Sequence, residues 1–488
     1  MIGSLVVLAV LAQQPFGRNV PRYDRAGCAF ERGEWAIDAK LECGILLVPE
    51  NPEQHDGRVL ELPVAILRAK RTGALPPLVM LHGGPGGAPG QLASMTRGVA
   101  MAGFSDSRDV VLYDQRGAGE ARPVLCPDSR LVESDAIGDR ARSTFRAQVR
   151  ACVESIRRAG NDPAMYNTRK SAADLAALRR ALRYDRWDIW SESYGGRLAL
   201  EAMRADPGGI RSVVLERPTP HGPWRAELAR NRSDALARVF ESCAADRRCA
   251  EAFPAPEPDL HALFDKLERS PAIVDSVASG AEMQVDGHAL IHAIVRLARR
   301  PSTIAWIPFL LDQLVRGDVQ RASRELVARA GTSGAAPTRV TFWLIECFDQ
   351  YGFRFEALQD SIEATVPTPF HLTRPMECDL WQNRFASEQE ARPVSSTIPT
   401  LIMTGRFDPV TPPVYGRRVA STLSNAYVFE LPSESHHTRE VSPCHVMIRN
   451  RFWADPTVAP DASCIATVAP INFVTRWPPA PRPDRSRG

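Results

Sequence analysis

The stretch Ser191-Glu192-Ser193-Tyr194-Gly195-Gly196 constrains this chain more than any other. Before it, Trp187-Asp188-Ile189-Trp190 has the apolar pattern of a short buried strand. After it, RLALEAMRADP carries Leu198, Leu200 and Met203 on one helical stripe. A strand that enters a helix through a tight turn lifts the side chain at the apex clear of the sheet edge. Here that side chain is the Ser193 hydroxyl, and the helix N-terminus behind it favours negative charge nearby. Glycine usually stands two residues before such an apex, because the turn is crowded. Ser191 stands there instead, and it is small enough to fit.

A second apolar run, Leu78-Val79-Met80-Leu81, ends in His82-Gly83-Gly84-Pro85-Gly86-Gly87. Glycine lets backbone N–H groups approach a ligand closely, and Pro85 stiffens the loop. The loop lacks the Lys-Ser/Thr ending of a phosphate-binding loop and the G-x-G-x-x-G frame that opens a helix. Beside the serine turn it reads as half of an oxyanion hole. The Tyr194 N–H supplies one donor and the Gly84 N–H the other, with Gly83 as the alternative. An acid and a histidine are then expected downstream, each just after a strand. Pro399 to Met403 leads into Thr404-Gly405-Arg406-Phe407-Asp408, and Ala426 to Leu431 leads into Ser433-Glu434-Ser435-His436-His437. Between Asp408 and His436 there is room for one helix, around Val414 to Leu423, and one strand. Both loops should therefore open at one edge of a parallel sheet. Asp408 and His436 are the expected pair, with His437 as the second choice.

Taken together, HGGPGG, DQRGAGEARPVLC (Asp114 to Cys126), SESYGG, TGRFDPVTP and the late histidine loop resemble the secreted tripeptidyl aminopeptidase branch of the proline iminopeptidase family. Members of that family are serine exopeptidases of the α/β-hydrolase fold. The resemblance runs from about residue 35 to about residue 470. It implies Ser193 as nucleophile, Asp408 as orienting acid, His436 as general base, and a peptide with a free N-terminus as substrate. It implies no cofactor. The chain departs from the family pattern at Ser191 and at Ser435-His436-His437, where Gly-His-Gly is usual.

The expected fold class is α/β: a mostly parallel sheet with helices on both faces and a large helical cap insertion. Ser193 and Asp408 lie too far apart for one remaining strand and helix. Arg211 to Leu215 reads as a strand, and apolar residues then recur at helical spacing over Ala226–Phe240, Leu260–Leu267, His288–Ala298 and Ile307–Leu314. The expected division is a core over 35–217, a cap over 218–395 and the rest of the core over 396–475. Gly44–Pro49 and Val59–Arg68 read as an antiparallel start to the sheet. Ser171 and Asp174 read as a capping box opening a helix over Leu175–Leu182. Asp114 and Arg116 are expected to brace loops rather than react.

An aminopeptidase needs an anion for the substrate's ammonium group, and Glu216, Glu346 and Asp349 are the candidates. The same triad also suits a carboxylesterase or lactone hydrolase, or a catalytically silent binding protein of this fold. Ten cysteines pair most simply in sequence order, which fits an oxidising compartment, secreted or periplasmic. Only Cys444-His445 approaches a metal-ligand spacing, so no metal is expected. Leu5 to Ala12 is far short of the about 20 residues that span a bilayer and suits a signal-peptide core over 1–12. A linker over 13–34 would follow, and no membrane role is expected after cleavage. The Pro- and Arg-rich tail 476–488 has no apolar periodicity and is expected to be disordered. A net charge of +3 gives no support for nucleic-acid binding. The oligomeric state is not legible.

Overall fold

The computed structural model describes residues 20–54, 57–71, 75–88, 90–127, 139–275, 282–330, 339–350, 355–371, 378–381, 385–437 and 440–478. The expected signal peptide, the first part of the linker and most of the tail lie outside them. Eleven strands are present among these residues: β1 (Arg22–Arg25), β2 (Leu41–Pro49), β3 (Val59–Leu67), β4 (Leu78–Leu81), β5 (Val110–Tyr113), β6 (Trp187–Glu192), β7 (Ile210–Glu216), β8 (Ala272–Asp275), β9 (Glu282–Val285), β10 (Thr400–Gly405) and β11 (Ala426–Leu431). Nine form one sheet in the order β1-β2-β3-β5-β4-β6-β7-β10-β11. The β1-β2-β3-β5 side is antiparallel and every pairing from β5 to β11 is parallel. This is the α/β-hydrolase arrangement.

The central strands β4, β5 and β10 are buried along their whole length, as parallel strands covered on both faces must be. Side chains alternate between two cores. Val79, Val111, Ile189 and Ile402 pack on one face with Leu175 and Leu198 from the helices Thr168–Ala181 and Tyr194–Ala205. Leu78, Leu112, Val214 and Leu401 pack on the other with Leu92 and Phe452, from the helices Gln91–Met101 and Pro443–Ala454. The β6 and β7 ends align at Glu192 and Glu216, and Glu216 aligns with Met403 of β10. The loops after β6, β10 and β11 therefore open side by side.

The capping-box expectation is corrected. The helix begins earlier, at Thr168, and is capped by Asn167, whose side chain accepts from Lys170 N. Ser171 lies inside it. Asp174 instead forms a bidentate ion pair with Arg116, at 2.7 Å to each oxygen, deep in the protein. Arg116 also donates to the carbonyls of Glu50 and Met165, tying three segments together. Asp114 accepts from Glu120 N within its own loop, and burial pushes its carboxyl up to about 7. Both residues brace loops.

A large insertion between β7 and β10 has a hydrophobic core of its own, built from helices that include Leu228–Ala245, Pro256–Arg269, Gly287–Leu297, Ile307–Val315 and Val319–Ala330. It is not wholly helical, as the spacing suggested: β8 and β9 form an antiparallel hairpin within it. Phe407, next to Asp408, joins this core, as do Ile471 and Phe473. The insertion is also tied to the sheet-edge loops by polar contacts. His437 N donates to Arg299 O (3.0 Å), Ser435 Oγ to Ala298 O (2.5 Å) and Arg238 Nε to Arg406 O (2.8 Å).

Five disulfides join Cys28–Cys43, Cys126–Cys152, Cys243–Cys249, Cys347–Cys378 and Cys444–Cys464, the sequential pairing expected. Among the described residues no helix is long and apolar enough to cross a membrane.

Candidate active site

Ser193 has φ 51° and ψ −120°, a left-handed region that a side chain rarely occupies. Such strain persists only where surrounding bonds over-determine it. Here Ser193 N donates to Glu216 O (3.0 Å), and Ser193 O accepts from Gly196 N (2.9 Å) and Thr219 N (3.0 Å). The turn also requires glycine at 195, since a Cβ there would lie 2.2 Å from Leu81 O. Ser191 is fully buried and its hydroxyl donates to Val214 O at 3.1 Å, so the departure from glycine is satisfied by hydrogen bonding. The glycine loop comes directly over the serine. A Cβ on Gly83 would sit 3.1 Å from Ser193 Cβ and 3.6 Å from its Oγ. Gly84 follows at φ +129°, a conformation effectively reserved for glycine.

Asp408 is completely buried after β10. One of its oxygens accepts from Val410 N (2.7 Å) and Thr411 N (2.9 Å), and the other from Thr411 Oγ1 (2.8 Å). The two oxygens lie 2.9 and 3.1 Å from His436 Nδ1. Burial alone would raise the Asp408 pKa. The His436 imidazole and the donated hydrogen bonds outweigh it and hold the carboxyl well below the usual carboxylate range. With Nδ1 turned to the carboxylate, Nε2 is left as the outward-facing nitrogen of His436. His437 makes no such contact among the described residues. Burial, with the charges of Arg299, His436 and Arg300, pushes its imidazole down to about 3. The structure thus couples Asp408 to His436 and not to His437. No hydrogen bond joins Ser193 Oγ to His436 among the described residues; their loops follow β6 and β11 at the same end of the sheet, and such contacts often tighten only when substrate binds.

The three candidate acids fare differently. Glu216 is corrected. Its carboxylate is turned away into a buried network, accepting from His445 Nε2 and Arg449, each at 2.9 Å. His445 Nδ1 in turn lies 2.8 Å from Glu434 Oε2, and Arg217 and Ser442 also donate to Glu434. Asp349 is held by Thr168 Oγ1 (2.6 Å) and Arg197 (3.3 Å). Glu346 is different: it is fully buried, and neither carboxylate oxygen completes a hydrogen bond among the described residues. Burial pushes its carboxyl up to about 7, against the pull of Arg197 and Arg225. Its charge also reaches Tyr194, the residue after Ser193.

Sequence reasoning missed Thr411 and the Glu216–His445–Glu434 relay. Thr411 had a signal, a hydroxyl three residues after an aspartate in a turn. The relay had none, because His445 and Glu216 are 229 residues apart. The relay fixes Glu434, two residues from His436, to the strand whose carbonyl holds Ser193. Burial lowers the His445 pKa, but Glu216 and Glu434 outweigh it and raise it overall. A raised pKa means this stabilisation is complete below the unfolded imidazole value and is lost as pH rises through the folded one. His445→Leu removes the cation shared by Glu216 and Glu434, which keep Arg449 and Arg217, and is expected to cost about 1.5–3 kcal/mol. Urea unfolding of both proteins checks this: the gap should be widest near pH 6 and should narrow in alkali. A gap that is small and independent of pH would show that His445 is not a charged clamp.

Residues 76–249 match the family model described as alpha/beta hydrolase fold, and residues 366–464 match the one described as TAP-like protein. Serine protease Hip1 of Mycobacterium tuberculosis is 26% identical over 466 residues, covering 87% of each chain. Tripeptidyl aminopeptidase of Streptomyces coelicolor is 26% identical over 216 residues, covering 40% of this chain and 38% of that protein. Proline iminopeptidase of Heyndrickxia coagulans is 23% identical over 227 residues, covering 44% and 63%.

Proposed function

For a chain that belongs to the α/β-hydrolase family of tripeptidyl aminopeptidases and proline iminopeptidases, we propose a serine exopeptidase that releases residues, singly or as tripeptides, from peptide N-termini. The observation that carries this reading is the buried Asp408 carboxylate bonded to His436 Nδ1, on loops that open at the same sheet edge as the strained Ser193 turn. With Nδ1 bonded to Asp408, the imidazole presents Nε2 as the base. His436 takes the Ser193 proton as Oγ attacks the scissile carbonyl. The Tyr194 and Gly84 N–H groups hold the resulting oxyanion, with Gly83 as the alternative donor. His436 then protonates the departing amine. Water then attacks the acyl carbonyl as His436 takes its proton, and His436 returns that proton to Ser193 Oγ as the ester bond breaks and the N-terminal product leaves. Of the candidate acids, Glu346 alone has both oxygens without a completed hydrogen bond, with the Trp224 indole acting on it and Asp349 close enough to raise its pKa, so we take it as the acid that receives the substrate's ammonium group. The five disulfides favour an exported protein working in an oxidising compartment.

The test compares tripeptide amides with a free and an acetylated N-terminus. Acetylation removes the cation and leaves a buried carboxyl without its partner. Truncating such a pair costs about 2–5 kcal/mol, on the order of 30- to several-thousand-fold in kcat/KM. Glu346→Gln should narrow that ratio. Equal rates on both amides, or faster turnover of short acyl esters, would point to a carboxylesterase of the same fold. No turnover of either class by folded protein would point to a silent binding protein.

A further inference from the structure

His82 is almost completely buried at the head of the glycine loop, and the acyl transfer described above makes no use of it. Its Nδ1 lies 2.7 Å from Gly83 O. A carbonyl oxygen only accepts, so Nδ1 carries the hydrogen and Nε2 the lone pair. Nε2 is shut off from solvent and has no partner among the described residues. Burial holds the imidazole below its ordinary pKa, which keeps the ring in this neutral form. Burying a polar ring for one hydrogen bond is costly. That bond falls on the peptide unit that stands over Ser193.

The bond sets a direction. The Gly83–Gly84 peptide is trans, and in a planar trans peptide the C=O and N–H point opposite ways. With Gly83 O turned into the loop towards His82, the Gly84 N–H is turned out of it. That N–H donates to no other backbone group among the described residues. The preceding peptide is fixed the other way round. His82 O accepts from Gln115 Nε2 at 3.4 Å and lies towards Gly195, where an added Cβ would come to 3.0 Å from it. The Gly83 N–H therefore points away from Gly195 and the start of the helix behind Ser193. At its far end the loop is pinned by Gly119 N, which donates to Gly87 O at 2.9 Å. Two consecutive glycines leave the peptide between them free to turn over. Turned over, it would present the partial negative charge of Gly83 O where the oxyanion forms.

We propose that His82 is a positioning residue of the oxyanion hole: its Nδ1–H holds Gly83 O and so fixes the N–H of Gly84, and not that of Gly83, as the loop's donor to the oxyanion. Gln115 and Gly119, from the segment that begins Asp114-Gln115-Arg116-Gly117, back the same loop. His82 acts through Gly84 and not on the substrate. This inference rests on the acyl-transfer chemistry proposed above and holds for an amide or an ester.

The experiment compares wild type with His82→Leu, which keeps much of the volume and loses the donor, and with His82→Asn, whose NH₂ is attached to Cγ as Nδ1 is. The substrates are a tripeptide amide with a free N-terminus and a short acyl ester. The ligands are a trifluoromethyl ketone analogue, which forms a tetrahedral adduct with the serine, and the alcohol reduced from it, which cannot. Activities are referred to folded protein measured by near-ultraviolet circular dichroism, and His82→Ala takes the place of a leucine variant that does not fold. Losing an oxyanion donor outright costs about 10²–10³-fold in kcat, so a donor left loose should cost about 10- to 100-fold. His82→Leu is expected to lose that much in kcat/KM and to bind the ketone more weakly in step, while the affinity for the alcohol barely changes. His82→Asn should regain most of both losses. A folded His82→Leu with kcat/KM near the wild-type value overturns the proposal. Equal weakening of ketone and alcohol overturns it too, since His82 would then shape the pocket as a whole. So does a His82→Asn as impaired as His82→Leu. A wild type that turns over neither substrate overturns the acyl-transfer reading, and the role of His82 falls with it.

Discussion

His436→Ala is expected to lower kcat by roughly 10⁴- to 10⁶-fold, the range seen when the base of a serine triad is removed. His437→Ala should lose far less. The two residues are adjacent in sequence but differ in what holds them. Both Asp408 oxygens are within 3.1 Å of His436 Nδ1. His437 is fixed through its backbone N–H to Arg299 O, a bond that alanine keeps. Its imidazole, pushed down to about 3, is too weak a base to take a serine proton efficiently near neutral pH. Steady-state kinetics of the two variants on one tripeptide amide decides the matter. If His437→Ala were the dead enzyme and His436→Ala the active one, the base would be His437.

Asp408→Asn is expected to cost about 10⁴-fold in kcat with the fold retained, by analogy with loss of the triad acid elsewhere. The asparagine oxygen can still accept from Val410 N and Thr411 N, so the loop after β10 keeps its shape. What changes is the face towards His436. An amide NH₂ there cannot accept from Nδ1–H, and the imidazole turns its proton to Nε2, where a lone pair is needed. Circular dichroism together with kcat checks this. A loss below tenfold would mean that Asp408 shapes the loop without orienting the base.

The serine turn was legible because its requirements are local. A buried strand, small residues at a crowded apex and a helix all lie within one short stretch. The positions of the loops carrying Asp408 and His436 were legible because each follows an apolar strand with one helix between them. The disulfides were legible because each cysteine has a near neighbour in sequence. Glu216 was misread for a reason of direction. It stands at the right strand end, but His445 and Arg449 of a later helix claim its carboxylate, and nothing in the local pattern shows that. The β8–β9 hairpin was missed because four-residue strands inside a helical region carry too little periodicity to register. Ser171 and Asp174 imitated a capping box, although the real cap was Asn167 and Asp174 belonged to Arg116.

The central claim is that Ser193 is a nucleophile activated by His436. Reaction with a fluorophosphonate probe, followed by intact mass and peptide mapping, tests it most directly. The account predicts one adduct per chain, on the peptide containing Ser193, abolished in Ser193→Ala and strongly slowed in His436→Ala. A folded wild-type protein that takes no label, or that is labelled equally well after Ser193→Ala, would contradict it.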